Sequence, residues 1–251
     1  MSSNDKTADF GENLWIDYGD YWLFNASQRS QLWLNGRKGR LTGSVTGGAI
    51  GHSNFTTPEI AALEISGKKE KQFTPKQLTA MEHGTKTEPI ACQWYEKNKG
   101  VVVKDLGMVI PKWNPYIGVS VDGVVFNQPT ASLSPVDGIG IIEIKCPQRM
   151  YNPLYAYDNG ERLDIPNSIT KGFDHIWKSH YDQMMMGMAV LKMPWCDYIV
   201  YCTSENKVFT QRIPWNQDYW TRELYPKTIN FIETKLKPLL IDTDYPIMPP
   251  K

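Results

Sequence analysis

The sequence predicts a single domain of the α/β (α+β) class, in which helices flank a central mixed β-sheet. Two observations support this prediction. Patterns typical of helices occupy both ends of the chain, whereas short β-rich segments fill its middle, between Val101 and Ile144. The chain has 251 residues, 41% of them hydrophobic and 22% charged, so one domain can bury a substantial core without disulfide bonds.

The N-terminal region is expected to begin with a loose arm. Residues 1–24 are rich in Asp, Gly and Asn, and the folded domain is therefore expected to span residues 25–251. Asn25 followed by Gln28 matches a capping box, which predicts a helix that begins there and continues to about Gly36.

Three further helical segments precede the β-rich middle, and they span 44–51, 58–66 and 74–99. In the last of these, Gly84 and Pro89 interrupt a helical pattern. Because proline removes a backbone donor and crowds the preceding turn, we expect two helical pieces or a kink there.

The middle of the chain contains four strand-like segments, at 101–103, 106–110, 117–126 and 139–144. The polar stretch Asn127–Gly138 joins the last two, which predicts a hairpin. After an irregular stretch, a helix is expected over 176–191, strands over 198–202 and 207–213, and a final helix over 217–239.

The composition argues against several classes of protein. Lys plus Arg (27) equal Asp plus Glu (27), so the net charge carries no information about a polyanionic partner, and any nucleic-acid groove must come from a local asymmetry of charge. The first residues, MSSNDKTADFGENLW, lack the features of a secretory signal, and no apolar run reaches membrane-spanning length. We therefore expect a soluble, intracellular protein whose four scattered cysteines form no disulfide framework, zinc site or iron–sulfur site.

The residues that indicate chemistry lie on the predicted hairpin. Alternate residues of a strand share a face, so Glu143 and Lys145 would project together while Ile142 and Ile144 enter the core. If the preceding strand pairs with this one, Asp122 comes alongside Glu143. Adjacent carboxylates repel unless a cation lies between them, and hard oxygen ligands favour Mg²⁺. The alternative is an ordinary hairpin Asp-Gly and a solvent-facing Glu-x-Lys pair.

Such a site has the parts that phosphodiester cleavage needs. A bound divalent metal polarises the phosphate and lowers the pKa of a water molecule, and a second metal can stabilise the leaving oxygen. Lys145 would hold the attacking water and add positive charge in the transition state. The residues by themselves therefore leave two interpretations open, a metal-dependent hydrolase and an ordinary hairpin with a solvent-facing charged pair.

Five motifs follow one another in the chain between residues 29 and 205. They are Trp33-Leu-Asn-Gly-Arg37 continuing to Leu41-Thr42-Gly43-Ser44, His83-Gly84 continuing to Glu88-Pro89-Ile90-Ala91, Ser120-Val121-Asp122-Gly123, Glu143-Ile144-Lys145-Cys146-Pro147, and Tyr181-Asp182-Gln183. In this order they resemble the lambda-exonuclease-like, or YqaJ-like viral recombinase, family of PD-(D/E)XK nucleases, which implies a restriction-endonuclease-like core. The chain departs from that family at Val121, where the family has Pro, and in the shorter Tyr-to-Gln spacing.

The resemblance implies a role for each matched residue. Glu88 would reach the metal site from a helix, whereas without the resemblance it is a helix-terminus acid beside Pro89. Arg37, Ser44 and Gln183 would hold a terminal 5′-phosphate, because Arg offers a fork of donors to phosphate. The alternative is that the segment around Arg37 is a solvated turn and that the hydroxyls only cap a helix.

Further residues are expected near the nucleic acid. Thr42 adds a hydroxyl to the 5′-phosphate group, and Ser120, two residues before Asp122, would face the same cavity. Trp33 and Tyr181 complete the expected DNA-binding set, although a Trp on an amphipathic helix is more often part of the core. A basic cluster lies along the expected path of the duplex or is simply solvated: Lys68, Lys69, Lys71 and Lys76.

The resemblance implies a DNA exonuclease that acts 5′→3′ on linear double-stranded DNA and resects ends for recombination. Mg²⁺ is the expected cofactor, with Mn²⁺ able to substitute and two ions in the site. The expected partners are double-stranded DNA ends, a single-strand-annealing protein and further copies of the chain in a homo-oligomer, with no membrane. The alternatives are an endonuclease of the same fold and a catalytically silent DNA-binding protein, which a nuclease assay would separate.

Overall fold

The structure, a computed structural model, describes residues 13–53, 55–127, 134–148, 157–158, 161–162 and 176–250. Its main sheet has five strands: β4 (Val102–Lys104), β7 (Gly123–Phe126), β8 (Gly140–Lys145), β11 (Trp195–Cys202) and β12 (Lys207–Pro214). They lie in the order β12-β11-β8-β7-β4. Strand β8 runs parallel to β11 and the other pairs are antiparallel, so the sheet is mixed, as the sequence predicts.

The hairpin that carries the expected chemistry is present, with Gly123 opposite Ile142. The single strand predicted over 117–126 is wrong, because Ile117–Gly118 (β6) pairs instead with Leu41–Thr42 (β3). Strand β7 begins only at Gly123. In the break, the carboxylate of Asp122 accepts a hydrogen bond from the Ile144 N–H at 2.6 Å. A side chain thus takes the donor that a strand carbonyl would have taken.

Helices cover both faces of the main sheet. On one face, helix α4 (Pro75–Lys99) packs Ala91 and Tyr95 against the buried side chains of Ile142 and Ile144. On the other face lies helix α5 (Lys178–Leu191), whose buried methionines belong to the largest core cluster. The strand period therefore sends Ile142 and Ile144 to the α4 side, and Glu143 and Lys145 to the α5 side, as predicted.

Helix α4 is one continuous element, so the prediction of two pieces at Gly84 and Pro89 is wrong. A capping box between Thr74 and Gln77 stabilises its start, and left-handed Gly100 ends it. These caps and the packing of its second half offset the single hydrogen bond that Pro89 removes. The first half of the helix is largely exposed, as are Leu78, Met81 and Ile90.

The N-terminal part of the chain forms a second sheet, in the order β1 (Trp15–Asp17), β2 (Tyr21–Phe24) and β5 (Met108–Pro111). The expected loose arm over 1–24 did not include these strands, and residues 1–12 lie outside the described residues.

The predicted capping box at Asn25 is also wrong. Helix α1 begins later, at Gln31–Arg37, and is capped by Ser30, whose hydroxyl accepts from the Trp33 N–H. Strand pairing of the preceding residues with β5 holds the chain extended up to Phe24, and this long-range pairing outweighs the local signal.

Most of the remaining elements follow the sequence prediction. Helices α2 (Gly43–Ala49) and α3 (Pro58–Ile65) are present. A two-stranded ribbon, which the sequence did not predict, pairs β9 (Tyr157–Asp158) with β10 (Glu161–Arg162). The final helix comprises α6 (Gln217–Tyr219), α7 (Tyr225–Phe231) and α8 (Lys237–Leu240), joined by π-helical turns. In the predicted link 127–138, residues 128–133 lie outside the described residues. No described helix is long and apolar enough to cross a membrane.

Candidate active site

The site lies where β7 and β8 meet helix α5. Because Gly123 is opposite Ile142, Asp122 comes beside Glu143, as the sequence predicts. The Nζ of Lys145 lies 2.5 Å from Oε1 of Glu143. From α5, the Nε2 of Gln183 donates to Oε2 of the same carboxylate at 2.9 Å. Glu143 is therefore held by two donors, one from its own strand and one from the neighbouring helix.

The carboxylates of this site perturb one another. Burial raises the pKa of Glu143 to about 8, the charge of Asp122 adds to the rise, and Lys145 opposes it. Burial also raises the pKa of Asp122, against the influence of Lys145, the Ile144 N–H and Arg29. Two acids that share a partly desolvated site in this way resist ionisation, which a bound cation would relieve.

Glu88 reaches the same region from helix α4. Its Oε2 accepts a hydrogen bond from Nη2 of Arg29 at 2.7 Å. Burial raises the pKa of Glu88 to about 7, and the charge of Asp122 adds to this rise. Three carboxylates thus lie within electrostatic reach of one another, and two cations, Arg29 and Lys145, partly balance them.

The donor set suits a hard divalent cation, since carboxylate oxygens are the ligands that Mg²⁺ prefers. In the described part of the chain, however, no three Asp, Glu, His or Cys side chains converge closely enough to hold an ion. Each carboxylate is turned toward a protein donor instead: Glu143 toward Lys145, Asp122 toward the Ile144 N–H, and Glu88 toward Arg29. The carboxylates therefore suit a divalent metal chemically, while in this structure they interact with protein donors instead.

The residues expected to bind a 5′-phosphate form a second group. Nη2 of Arg37 donates to Oγ1 of Thr42 at 2.9 Å and lies 3.4 Å from Oγ of Ser44. The guanidinium stacks on the ring of Trp33, 4.3 Å from its centroid. Burial lowers the pKa of Arg37 to about 10, so the side chain remains cationic at neutral pH. Two hydroxyls and one cation therefore converge.

Two contacts connect the Arg37, Thr42 and Ser44 cluster to the carboxylates. Nε1 of Trp33 donates to Oγ of Ser120 at 2.9 Å, two residues before Asp122. The first residue of α2, Gly43, faces Gln183, so that an added Cβ would lie in ordinary van der Waals contact with the Gln183 side chain, at 3.4 Å. Gln183 in turn bonds Glu143. The structure therefore brings together all the residues expected at the site except Tyr181.

Tyr181 is placed elsewhere. Only 2% of the residue is exposed, and its ring packs edge-on against Tyr219 with centroids 4.9 Å apart. Its hydroxyl accepts a hydrogen bond from Nδ2 of Asn216. The side chain belongs to the packing between α5 and the C-terminal helix, because it lies on the face of α5 turned away from Gln183.

Arg29 and Gln28 are site neighbours that the sequence did not indicate. The amide of Gln28 donates to the carbonyls of Leu106 and Val121, both at 3.0 Å. It thereby fixes the chain just before Asp122. Both residues escaped prediction because the sequence pattern placed them in a helix over residues 25–36. In such a helix, Gln28 and Arg29 would be ordinary solvent-exposed polar residues.

Comparisons with known proteins concern the family and the fold of the chain. A family model, the YqaJ-like viral recombinase domain, matches residues 32–194 and confirms the resemblance of the motifs. No curated protein matches the chain.

Among solved structures, an alkaline exonuclease (LHK-Exo) from Laribacter hongkongensis is similar, with a TM-score of 0.60 and 22% identity over 84% of this chain and 96% of that chain. A phage related exonuclease from Haemophilus somnus 129PT has a TM-score of 0.50 and 14% identity over 80% and 93% of the two chains. The KSHV SOX RNA complex has a TM-score of 0.50 and 14% identity over 85% and 72%. At these identities the similarity confirms the predicted PD-(D/E)XK fold.

Proposed function

The chain belongs to the family of YqaJ-like viral recombinase domains, and on that basis we propose that it is a metal-dependent nuclease that degrades linear double-stranded DNA from a 5′ end. The observation that carries the proposal is the contact between Trp33 and Ser120. Through it, the indole on which Arg37 stacks is bonded to a residue two positions before Asp122. A group suited to a terminal phosphate thus adjoins a group suited to hydrolysis.

Asp122, Glu143 and Glu88 are the residues that would hold the metal, for which we propose Mg²⁺, with Mn²⁺ as a substitute and two ions at full loading. When bound, the metal neutralises charge on the phosphate and acidifies a nucleophilic water molecule. The raised pKa values of Glu143 and Glu88 support this assignment, since buried carboxylates of this kind mark functional sites.

Lys145 is the catalytic cation that the chain itself supplies. Its Nζ lies on the same strand face as the Glu143 carboxylate, where it can donate a hydrogen bond to the attacking water. Its charge also stabilises the phosphorane-like transition state. Gln183 keeps the Glu143 carboxylate oriented through its amide donor, which allows Lys145 to exchange its partner.

The end preference follows from the group around Arg37. A guanidinium stacked on Trp33 has lost much of its rotational freedom, so it can bind a phosphate at a smaller entropic cost. The hydroxyls of Thr42 and Ser44 can donate to further phosphate oxygens. A site that needs a chain-end phosphate rejects interior bonds, which makes the enzyme an exonuclease.

The direction of degradation, the DNA substrate and the recombination role all belong to this proposal. The SOX structure contains RNA, so an RNA substrate is the second candidate. An endonuclease of the same fold and a silent DNA-binding protein are the third and fourth candidates. A single-strand-annealing protein would bind the DNA strand that degradation of the other strand leaves single. Assembly of the chain into a homo-oligomer would raise the processivity of degradation.

The test uses one labelled duplex in four forms: with 5′-phosphate ends, with 5′-hydroxyl ends, as a closed circle, and as the matching RNA. We expect Mg²⁺-dependent release of nucleotides from the 5′-phosphate strand, slower attack on the 5′-hydroxyl strand and none on the circle. Equal rates on 5′-phosphate and 5′-hydroxyl ends would refute the proposed phosphate-binding role of Arg37, Thr42 and Ser44. Cleavage of the circle would favour an endonuclease. Faster cleavage of RNA than of DNA would favour an RNA substrate.

A further inference from the structure

Arg29 lies at the mouth of the carboxylate site. Its Nη2 is 2.7 Å from Oε2 of Glu88, and half of its side chain is exposed, against 28% for that of Glu88. Its charge also reaches Asp122, where it opposes the rise in pKa that burial causes. One guanidinium therefore balances two of the three carboxylates while part of it faces solvent.

The backbone holds Arg29 in this place in an unfavourable conformation. Its φ is +69°, in the left-handed region that residues other than glycine adopt only rarely. The residues on both sides fasten the turn: the Gln28 amide bonds the carbonyls of Leu106 and Val121, and Ser30 caps helix α1. A strained backbone that its surroundings fix in this way often serves a site.

We propose that Arg29 is an exchangeable counter-ion of Glu88, which leaves the carboxylate to the divalent metal and then binds a phosphate of the nucleic acid. The inference rests on the proposed metal site. A cation beside Glu88 lowers the affinity of the carboxylates for a metal ion, because like charges repel and Glu88 must give up one partner for the other. The released guanidinium keeps its place at the mouth, where its fork of donors matches a phosphate.

This exchange couples the binding of the metal to the binding of the DNA backbone. Before metal binds, Arg29 limits the repulsion among Glu88, Asp122 and Glu143 and so keeps the site intact. After metal binds, the excess positive charge at the mouth attracts the DNA backbone. A merely structural ion pair would act in the opposite direction, because loss of a residue that only orients Glu88 would weaken metal binding.

The first experiment measures metal affinity alone, by titration calorimetry of the full chain with Mn²⁺ and no DNA. The variant is Arg29→Gly, since glycine adopts the left-handed conformation readily and should not disturb folding. A thermal melt checks that point. We expect Arg29→Gly to bind Mn²⁺ about tenfold more tightly than the wild type, because a competing positive charge is gone. The matched control is Arg222→Ala, which removes an exposed arginine paired with Asp218 on the C-terminal helix and should leave Mn²⁺ affinity unchanged.

The second experiment measures binding of a 5′-phosphorylated duplex by fluorescence anisotropy, with Ca²⁺ in place of Mg²⁺. We expect Arg29→Gly to bind the duplex about five- to tenfold more weakly, with a salt slope smaller by about one, as loss of a single phosphate contact predicts. Arg222→Ala should match the wild type.

Equal or weaker Mn²⁺ affinity in Arg29→Gly overturns the exchange, and so does duplex binding equal to that of the wild type. These results leave the proposed nuclease intact, provided that the wild type binds Mn²⁺. A wild-type protein that binds no Mn²⁺ refutes the metal site, and the exchange falls with it.

Discussion

Trp33 donates its indole N–H to the hydroxyl of Ser120 at 2.9 Å, while Arg37 stacks on the same indole ring. One side chain therefore touches both halves of the site. Helix α1 carries Arg37, which we propose to bind the terminal phosphate, and the segment before β7 carries Asp122. Besides the pairing of β3 with β6, this bond fixes their separation, so Trp33 is a positioning residue, and its substitution should change turnover more than stability.

Trp33→Phe tests the positioning role. Phenylalanine keeps an aromatic ring under Arg37 but cannot donate to Ser120. We expect the free energy of unfolding to fall by about 1 kcal/mol, the net value of one hydrogen bond. We expect kcat/KM on 5′-phosphorylated duplex to fall by about tenfold, since displacement of a positioned group by a fraction of an ångström slows turnover. Trp113→Phe, at a half-exposed indole that packs on Trp220 and Tyr225 of the C-terminal helix, is the control. Equal loss of activity in both variants would contradict the role of the Ser120 bond.

Arg37→Lys separates the charge of the proposed phosphate-binding residue from its geometry. Lysine keeps the positive charge but loses the planar fork and the stacking on Trp33. We expect the preference for 5′-phosphate over 5′-hydroxyl ends to fall by about tenfold, mainly through a higher KM for the phosphorylated end. The ratio of kcat/KM on the two ends gives the result. An unchanged ratio would show that Arg37 does not read the terminal phosphate.

Arg40, three residues further on, is predicted to act on stability alone. Its guanidinium is buried, with 1% of the residue exposed, and donates to the carbonyls of Gly36, Pro115 and Ile247. Arg40→Ala leaves these buried acceptors without their donor, so we expect the free energy of unfolding to fall by about 3 kcal/mol. Urea unfolding measures this change. The end preference of the folded protein should stay at the wild-type value, and a changed preference would mean that Arg40 also contacts the substrate.

His180 should make stability depend on acid pH. Burial, together with the charge of Lys145, holds the pKa of His180 well below its ordinary value of 6.5. The folded protein therefore keeps the imidazole neutral, with Nδ1 2.9 Å from the Tyr198 hydroxyl, while the unfolded chain takes up a proton below pH 6.5. Because the unfolded state binds more protons, stability is full above that pH and falls below it, by about 1 kcal/mol per pH unit.

His180→Gln isolates this contribution, since glutamine can bond Tyr198 but does not titrate. Urea unfolding at pH 7.5 and 5.5 should show a shallower loss of stability in the variant than in the wild type. Parallel losses in the two proteins would show that His180 takes up its proton equally in the folded and unfolded states.

The hairpin, its faces and most helices could be predicted from the sequence because these features depend on local periodicity. The alternation of apolar and charged residues along β8 assigns each side chain to one face of the sheet, whatever position the strand has in that sheet. The motif order likewise pointed to Glu88, although it lies far along the chain from Glu143.

The parts that the sequence did not reveal depend on long-range contacts. Residues 21–24 are extended because they pair with β5, more than eighty positions later, so the apparent capping box at Asn25 has no helix to start. Tyr181 is buried because the C-terminal helix packs on α5, and a single motif cannot show which face of a helix that will be. Arg29 pairs with Glu88, 59 positions later in the chain, and no local pattern indicates such a contact.

Hydrolysis of a linear 5′-phosphorylated duplex in Mg²⁺, compared between the wild type and Lys145→Ala, tests the active-site assignment most directly. The control is Lys112→Ala, which removes a lysine paired with Asp17, a residue of β1 in the second sheet. The proposed role of Lys145 predicts that its variant binds the duplex normally in Ca²⁺ but turns it over on the order of 10²–10³-fold more slowly, while Lys112→Ala and the wild type are equal and chelation of the metal stops both. Turnover by Lys145→Ala at the wild-type rate, or hydrolysis that continues under chelation, would contradict it.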